Sequence, residues 1–184
     1  MAFTTPTSRA AGYVVQATDW NNEIAYNGLW LGSNTVGANG GKPSVLAIET
    51  TNQAIATGAT GAAITFNDAD VYDTQSQHDV ATNTSRITCG ATANQGLYHF
   101  TATGVWATHA TAIRTIALKL NGTTELYKIS APLNMQWFWT ISGYYRFTAN
   151  TDYMEVWATH DAGANLNISN SVLSAKFGAV WISA

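Results

Sequence analysis

The feature that most constrains this chain is a two-residue alternation of apolar and polar side chains in its second half. In the segment 97–103, LYHFTAT, one face carries Tyr98, Phe100 and Ala102, and the other face carries the polar side chains of His99, Thr101 and Thr103. A period of two fits a β-strand with one buried face, whereas a helix would need a period near 3.6. The segment 114–120, RTIALKL, alternates in the same way. Both segments are therefore predicted to be half-buried strands.

Similar strand chemistry extends over most of the chain. From residue 44 onward, short runs of β-branched and aromatic residues are separated by Gly, Asn and Asp. Asn121 and Gly122 lie between two such runs and form the strongest hairpin-turn signal. This pattern predicts an all-β fold, a β-sandwich of about ten strands. We place the strands near 45–49, 62–66, 69–73, 85–89, 96–108, 112–121, 124–130, 134–148, 151–160 and 171–183.

The first 42 residues have a different character. They contain a helix candidate over about 19–27, with Thr18 or Asp19 as the N-cap and Gly28 as the left-handed stop. A helix of about nine residues is not stable by itself and must pack on something. A loop rich in Gly and Asn follows it. We therefore divide the chain into an N-terminal arm, residues 1–42, and a body, residues 43–184.

Composition excludes several classes of function. Charged residues make up 10% of the chain, against about 25% in a typical domain, so few charges keep copies apart. The net charge of -3 and eight scattered Lys and Arg residues argue against nucleic acid as a partner. No apolar run approaches the roughly 18 residues of a spanning helix, so no membrane insertion is expected, and the start lacks a signal-peptide core. Cys89 is the one cysteine, which excludes an internal disulfide; we interpret it as a small buried hydrophobe.

Five segments of the body together show a family resemblance. They are VYDTQSQHD, SRITCGATANQGLYHFTATGVWA, IRTIALKLNGTTEL, GYYRFTANTDYMEVWA and SVLSAKFGAVWIS. In this order the chain resembles the jelly-roll superfamily of tumour necrosis factor and the complement globular heads, in the version found in bacteriophage virion structural proteins. It departs from that pattern at Thr151, where a Gly usually precedes the Asp. The matching positions are Gly96, Tyr98, Phe100, Asn121, Gly122, Asp152, Met154, Val156, Phe177 and Gly178.

The resemblance implies a jelly-roll sandwich that forms a homotrimer through aromatic faces of one sheet. The residues agree, because the predicted strand 134–148 carries aromatics on both faces, and only one face can fill the core. The other face needs a subunit partner, a covering loop or a ligand. We predict a subunit interface formed by Trp137, Trp139, Tyr144, Tyr145, Tyr153 and Trp157.

The N-terminal arm looks like the openings of phage virion proteins. The resemblance thus implies a non-enzymatic virion surface protein, made in the host cytoplasm, whose partners are itself and phage capsid or tail proteins. The arm is short and has no heptads for a stalk, which favours capsid decoration or a head fibre. The alternative is a tail or fibre module that recognises a host surface glycan, with the loops 107–112, 130–135 and 160–170 as candidates. The predicted particle-anchoring residues are Trp20, Ile24, Tyr26 and Trp30.

Catalytic and metal signals are weak. No nucleophile elbow, phosphate loop, metalloprotease helix or dinucleotide fingerprint is present, so we predict no enzymatic activity and no cofactor. Glu125 and Glu155 are the acids expected to face outward from a regular strand, and nothing places them in a cleft. His78 lies beside an Asp but has no nucleophile in its neighbourhood. Four acidic residues lie close together in the sequence: Asp68, Asp70, Asp73 and Asp79. We interpret them as solvated carboxylates in turns rather than as a calcium site, and we predict no metal.

The pentapeptide VWATH occurs twice, at 105–109 and 156–160. Its flanks differ, so the repeat is not an internal duplication. In the jelly-roll order both copies end strands at the same end of the sandwich, which makes His109 and His160 a candidate ligand or ion site. Strand parity places Trp106 inward and Trp157 outward.

Overall fold

The alternating sequence produces two antiparallel sheets. The computed structural model describes residues 42–131, 136–170 and 173–184. Within these residues, sheet A contains β1 (Ser44–Glu49), β2 (Gln53–Ile55), β4 (Tyr72–Asp73), β6 (Gly96–Trp106), β9 (Trp137–Phe147), β11 (Leu166–Ile168) and β12 (Ala175–Ser183). Sheet B contains β3 (Gly58–Ala63), β5 (Arg86–Thr88), β7 (Arg114–Leu120), β8 (Thr124–Ala131) and β10 (Tyr153–His160).

The order of strands is that of a jelly roll. The main path of sheet A runs β9, β6, β12, β1 and β4, and β11 and β2 extend it beside the end of β6. Sheet B runs β8, β7 and β10, and both β3 and β5 then pair with β10. Several strands that follow one another in sequence, such as β6 and β7 or β9 and β10, thus lie in different sheets, as the Greek-key connections of a jelly roll require. The predicted all-β sandwich is confirmed.

The core lies between the inward faces of the two sheets. Along β6 the buried positions alternate as predicted, and Tyr98, Phe100 and Trp106 are fully buried. Ile116 and Met154 oppose them from sheet B. Tyr98 keeps its hydroxyl satisfied inside the core: it donates to the Asn94 carbonyl at 2.6 Å and accepts from the Gln77 amide at 3.1 Å. Burial raises the pKa of Tyr98 far above its usual value.

Two connected turns close one end of the sandwich. Asn121 and Gly122 both adopt positive φ, 51° and 71°, which is the backbone of the predicted tight turn between β7 and β8. Asn121 then binds Asp152, whose other carboxylate oxygen accepts the amides of Thr148 and Ala149 at 2.9 Å each. Asp152 thereby ties the turn before β10 to the turn after β7.

Some strand limits differ from the predictions. The short strands β2 and β11 were not predicted, since three residues carry too little alternation to be recognised. The strand expected at 62–66 lies earlier, as β3 over Gly58–Ala63, because Gly and Ala can still pair with an edge of β10. The strand expected at 171–183 begins only at Ala175, in β12. The helix candidate at 19–27 lies outside the described residues.

Pro43–Ala184 forms a compact unit of its own. The proposed role of residues 1–42 as an anchoring arm therefore stays a prediction, and so does the assignment of Trp20, Ile24, Tyr26 and Trp30, which lie outside the described residues. Among the residues that the structure describes, no helix is long and apolar enough to cross a membrane.

Candidate functional site

The outward face of sheet A, which we call the A face, carries large exposed apolar side chains. Phe138 and Tyr144 project from β9 and are 54% and 58% exposed. Val180 and Ile182 project from β12, and Tyr72 projects from β4 at the opposite edge. Isolated apolar side chains on a surface are ordinary, but several on one face form a patch of the kind that marks a binding surface.

Strand register brings the A-face residues into contiguous rows. Tyr144 on β9 is opposite His99 on β6, and His99 is opposite Val180 on β12. The rings of Tyr144 and His99 are 4.7 Å apart, centroid to centroid. The next row contains Gly178, which has no side chain, and so leaves a hollow of about 220 Å³ in the middle of the face. The hollow is lined by residues that include Leu46, Tyr72, His99, Thr101, Lys176 and Val180.

The charge of the A face is small and of one sign. Its strand residues include Arg146 at one end and Lys176 beside the hollow, together with His99. The outward positions of β1, β4, β6, β9 and β12 contain no Asp or Glu. A face with few charges and exposed aromatic side chains has the composition of an interface core.

The outward face of sheet B, the B face, is different because its charges alternate and bind one another. One row runs Arg86, Glu155, Lys119 and Glu125 across β5, β10, β7 and β8. Glu155 points outward but is only 3% exposed, because its neighbours cover it. Its carboxylate accepts hydrogen bonds from the Ser85 hydroxyl at 2.8 Å, Arg86 Nε at 3.1 Å and Trp157 Nε1 at 3.0 Å.

Cations also cover the aromatic rings of the B face. The Arg86 guanidinium lies 4.0 Å from the ring centre of Tyr153, and the Lys119 ammonium lies 4.1 Å from that of Trp157. These cation–π contacts occupy ring surface that a partner or a sugar would otherwise stack on. The B face is thus satisfied within one chain, as a solvent-facing sheet surface is.

The structure separates the six predicted interface residues into three groups. Tyr144 lies on the A face, exposed and available for the predicted interface. Tyr153 and Trp157 lie on the B face, so they cannot form one continuous patch with Tyr144. The remaining three share the inward parity of β9 and pack in or against the core: Trp137, Trp139 and Tyr145.

Burial in the core is the physical reason for this correction. Trp139 is only 3% exposed, and its ring covers Gly104, where an added Cβ would be 2.4 Å from the indole. Tyr145 packs against Phe147 with ring centroids 6.1 Å apart, and burial raises its pKa. Sequence reasoning missed Phe138, although its even number gives it the same parity as Tyr144. That parity was the available signal.

The free edge of the A face is protected by β8. β9 pairs only with β6 among the described strands, so its other edge lies open to pairing with another strand. The Tyr127 hydroxyl, from β8, donates to the Tyr144 carbonyl at 3.0 Å and accepts from its amide at 3.2 Å. One phenol thus occupies the amide and the carbonyl that Tyr144 would offer to a further strand.

His109 and His160 are each engaged by nearby backbone. Trp106 ends β6 and His160 ends β10, and their rings meet with centroids 5.4 Å apart, so the two VWATH segments end in the same region. His160 accepts from the Ala162 amide at Nδ1 and contacts the Ile55 carbonyl through Nε2 at 2.8 Å. His109 Nδ1 accepts the amides of Thr111 and Ala112. Both rings act as caps of their own loops.

The side chains of the acidic group and of Cys89 also have structural roles. Asp70 lies 2.8 Å from His78 Nδ1, and Asp73 accepts the His78 amide. Asp79 accepts the amides of Ala81 and Thr82, while Asp68 accepts that of Thr50. Within the described residues, no three His, Cys, Asp or Glu side chains are grouped to hold a metal ion. Burial raises the pKa of the Cys89 thiol, which keeps it a thiol.

Comparison with known proteins shows the fold. No protein-family model matches the chain, and no curated protein matches it. Among solved structures, murine APRIL at pH 5.0 matches with a TM-score of 0.54 and 10% identity, over 76% of this chain and 98% of that one. The APRIL structure at pH 8.0 gives 0.53 over the same shares at 10% identity.

A further match is the globular domain of zebrafish complement 1qA, at 19% identity over 76% of this chain and 95% of that one, with a TM-score of 0.47. At 10% identity the likeness to APRIL shows the fold alone. The chain therefore shares the fold of murine APRIL, and the jelly-roll sandwich that its sequence motifs predicted is confirmed.

Proposed function

We propose that this protein is a non-enzymatic, homotrimeric component of a bacteriophage virion surface, and that the A face joins its subunits. The contrast between the two outward faces carries this proposal. The charges of the B face are paired within the chain, whereas the A face exposes aromatic and aliphatic side chains without any acidic strand residue. A second copy of the chain is the partner that is always present at sufficient concentration.

A three-fold assembly fits the asymmetry of the A face. Contacts around a three-fold axis are heterologous, so each subunit must offer two different surfaces. One edge of the A face has the projecting rings of Phe138 and Tyr144, and the other side has the hollow beside Tyr72. Burying them would supply the apolar centre of an interface of about 800 Å² per partner. The jelly-roll fold supports the same number of subunits by analogy.

Capsid decoration or a head fibre is the proposed position on the virion. The resemblance of the motifs to phage structural proteins supports it, as does a short arm that is separate in sequence from the body. The arm would dock on the particle through Trp20, Ile24, Tyr26 and Trp30. Capsid or tail proteins are then the proposed partners, and the proposed location is the virion surface.

A tail or fibre module that binds a host glycan is the second candidate. An open cleft of about 340 Å³ favours it, at the end of the sandwich where β10 ends. The Thr115 and Thr159 hydroxyls and the Asp161 carboxylate line this cleft beside the exposed side chain of Ile113. Hydroxyls, a carboxylate and an aliphatic surface are groups that bind sugars.

Light scattering of the full chain tests the assembly. The expected mass is three times the 19.7 kDa of one chain, at micromolar concentration and pH 8. A monomer under these conditions would contradict the trimer.

Two further experiments distinguish capsid decoration from a receptor-binding module of a tail or fibre. Addition of the full chain to particles stripped of it should restore their resistance to heat or osmotic shock, and a variant without residues 1–42 should fail to bind them. Saturable binding of the full chain on a glycan array, with no effect on stripped particles, would support the receptor-binding alternative instead.

A further inference from the structure

His99 has an unusual environment for a histidine on an apolar surface. It lies in the middle of the A face, half-buried, with the Tyr144 ring on one side and Val180 on the other. It also lines the hollow together with Leu46 and Tyr72. A partner that covers the A face must therefore cover this imidazole.

Among the described residues, the strand side chains around His99 offer no negative charge. β9 faces it with Tyr144 and has Arg146 one row away, and β12 contributes Val180 and, further along, Lys176. β4 contributes Tyr72, and β1 contributes only uncharged side chains. From β8, the hydroxyl of Tyr127 is bonded to the Tyr144 backbone. Burying the neutral imidazole of His99 under a partner costs little free energy. Burying the imidazolium costs much more, because the charge loses its water beside other cations and gains no anion.

We propose that the assembly through the A face is sensitive to acid, with His99 as the sensor: the trimer holds His99 neutral and dissociates when the solution protonates it. This inference rests on the proposed function, since it assumes that the A face is the subunit interface. It adds a regulation that the fold by itself does not imply. Three copies of His99 enter the assembly, so the response is cooperative.

Linkage gives the direction and size of the effect. An unperturbed imidazole gains its proton near pH 6.5. If the assembled state excludes that proton, stability of the trimer is fully present above this pH and is lost as the pH falls. Below about pH 6.5, each histidine that must lose its proton on assembly lowers the association constant of the trimer by up to about tenfold per pH unit. Three histidines together lower it by up to about a thousandfold per pH unit.

The other described histidines are placed differently. His78 is buried with Asp70 at 2.8 Å, and its Nε2 lies 3.0 Å from the Thr84 carbonyl. His160 is buried against the Ile55 carbonyl, and His109 lies in the loop after β6. None of these three is on the A face, so each can serve as a control for His99.

The test is light scattering of the full chain at pH 8 and pH 5, with far-UV circular dichroism to follow the fold. The wild type should be a trimer at pH 8 and dissociate at pH 5 with its β spectrum unchanged. His99→Gln should remain a trimer at both pH values, because glutamine does not titrate. His99→Lys should be monomeric at both, and His109→Gln should behave as the wild type.

The outcomes distinguish the two proposals. A wild type that is trimeric at pH 8 and equally trimeric at pH 5 overturns the acid response and leaves the trimer standing. Dissociation at pH 5 that His99→Gln does not prevent assigns the response to another group and overturns the role of His99. A monomer at pH 8 overturns the trimer itself, and the acid response with it.

Discussion

At the residue scale, Glu155 shows how an outward-facing carboxylate can be part of the structure. It accepts three side-chain hydrogen bonds and is almost completely covered. Glu155→Gln keeps the shape but removes the charge that Arg86 binds, and it places an amide NH₂ among donors. We expect a loss of about 1–3 kcal/mol in the free energy of unfolding, measured by urea denaturation.

Glu125→Gln is the matched control, because Glu125 lies in the same row across sheet B. Its carboxylate is 3.4 Å from Lys128 and well exposed, so its removal should change the free energy of unfolding by less than about 1 kcal/mol. Equal effects of the two substitutions would contradict a structural role for the Glu155 cluster.

Asp152 supports a second prediction, on how the stability of the fold depends on pH. Although burial by itself would raise its pKa, the amides of Ala149 and Thr148 and the side chain of Asn121 hold that pKa below its usual value. A pKa lowered by folding gives stability that is present above the unfolded value of about 3.9 and lost as the pH falls through the folded value. Urea midpoints should therefore fall between pH 5 and pH 3 more steeply in the wild type than in Asp152→Asn. Identical slopes would contradict this.

Individual residues also show how far the sequence could predict the site. Strand parity alone predicted the inward Trp106 and the outward Trp157. It could not show which outward face stays uncovered, because that depends on partners such as Arg86 and Lys119, which come from other strands. For the same reason Tyr153 and Trp157 were grouped with Tyr144, although the two faces look in opposite directions.

At the scale of elements, the long strands were predictable and the short ones were not. β6 and β9 each extend over eleven residues, which is long enough to be recognised as strands, although the aromatic residues on both faces of β9 concealed which face is buried. β2 and β11 have three residues and exist because they pair with each other and with the end of β6. The departure at Thr151 has a local explanation, because Asp152 fixes the turn through side-chain hydrogen bonds and Thr151 does not need positive φ.

The contact between β8 and β9 supports a prediction about Gly143. The Tyr127 ring lies on Gly143, and an added Cβ would be 2.2 Å from its Cε2 atom. Gly143→Ala should displace the ring, break both hydrogen bonds to Tyr144 and lower the free energy of unfolding by about 1–3 kcal/mol. Tyr127→Ala is the background that isolates this contact, since Gly143→Ala should cost clearly less there. Additive losses in the double variant would show that the two residues do not interact.

At the scale of the whole molecule, the sandwich has one face that is satisfied and one that is not. Both faces are built from strands that alternate between inward and outward residues, and they differ in what fills the outward positions. The B face carries charges of both signs, and each of them is engaged within the chain by an ion pair or by a contact with an aromatic ring. The A face is left with aromatic and aliphatic side chains, and for this reason we propose it, among the surfaces of the described residues, as the one that associates.

This difference is tested by placing the same charge at two exposed apolar positions. Val180 lies in the middle of the A face and is 46% exposed, while Ile113 lies outside that face and is 53% exposed. Val180→Lys would bury an ammonium beside His99 and near Lys176, so light scattering at pH 8 should give a monomer. Ile113→Lys should remain a trimer, because lysine there stays in solvent. If both variants assembled like the wild type, the A face would not be the interface; if Ile113→Lys alone dissociated, the contact would lie at the end of the sandwich.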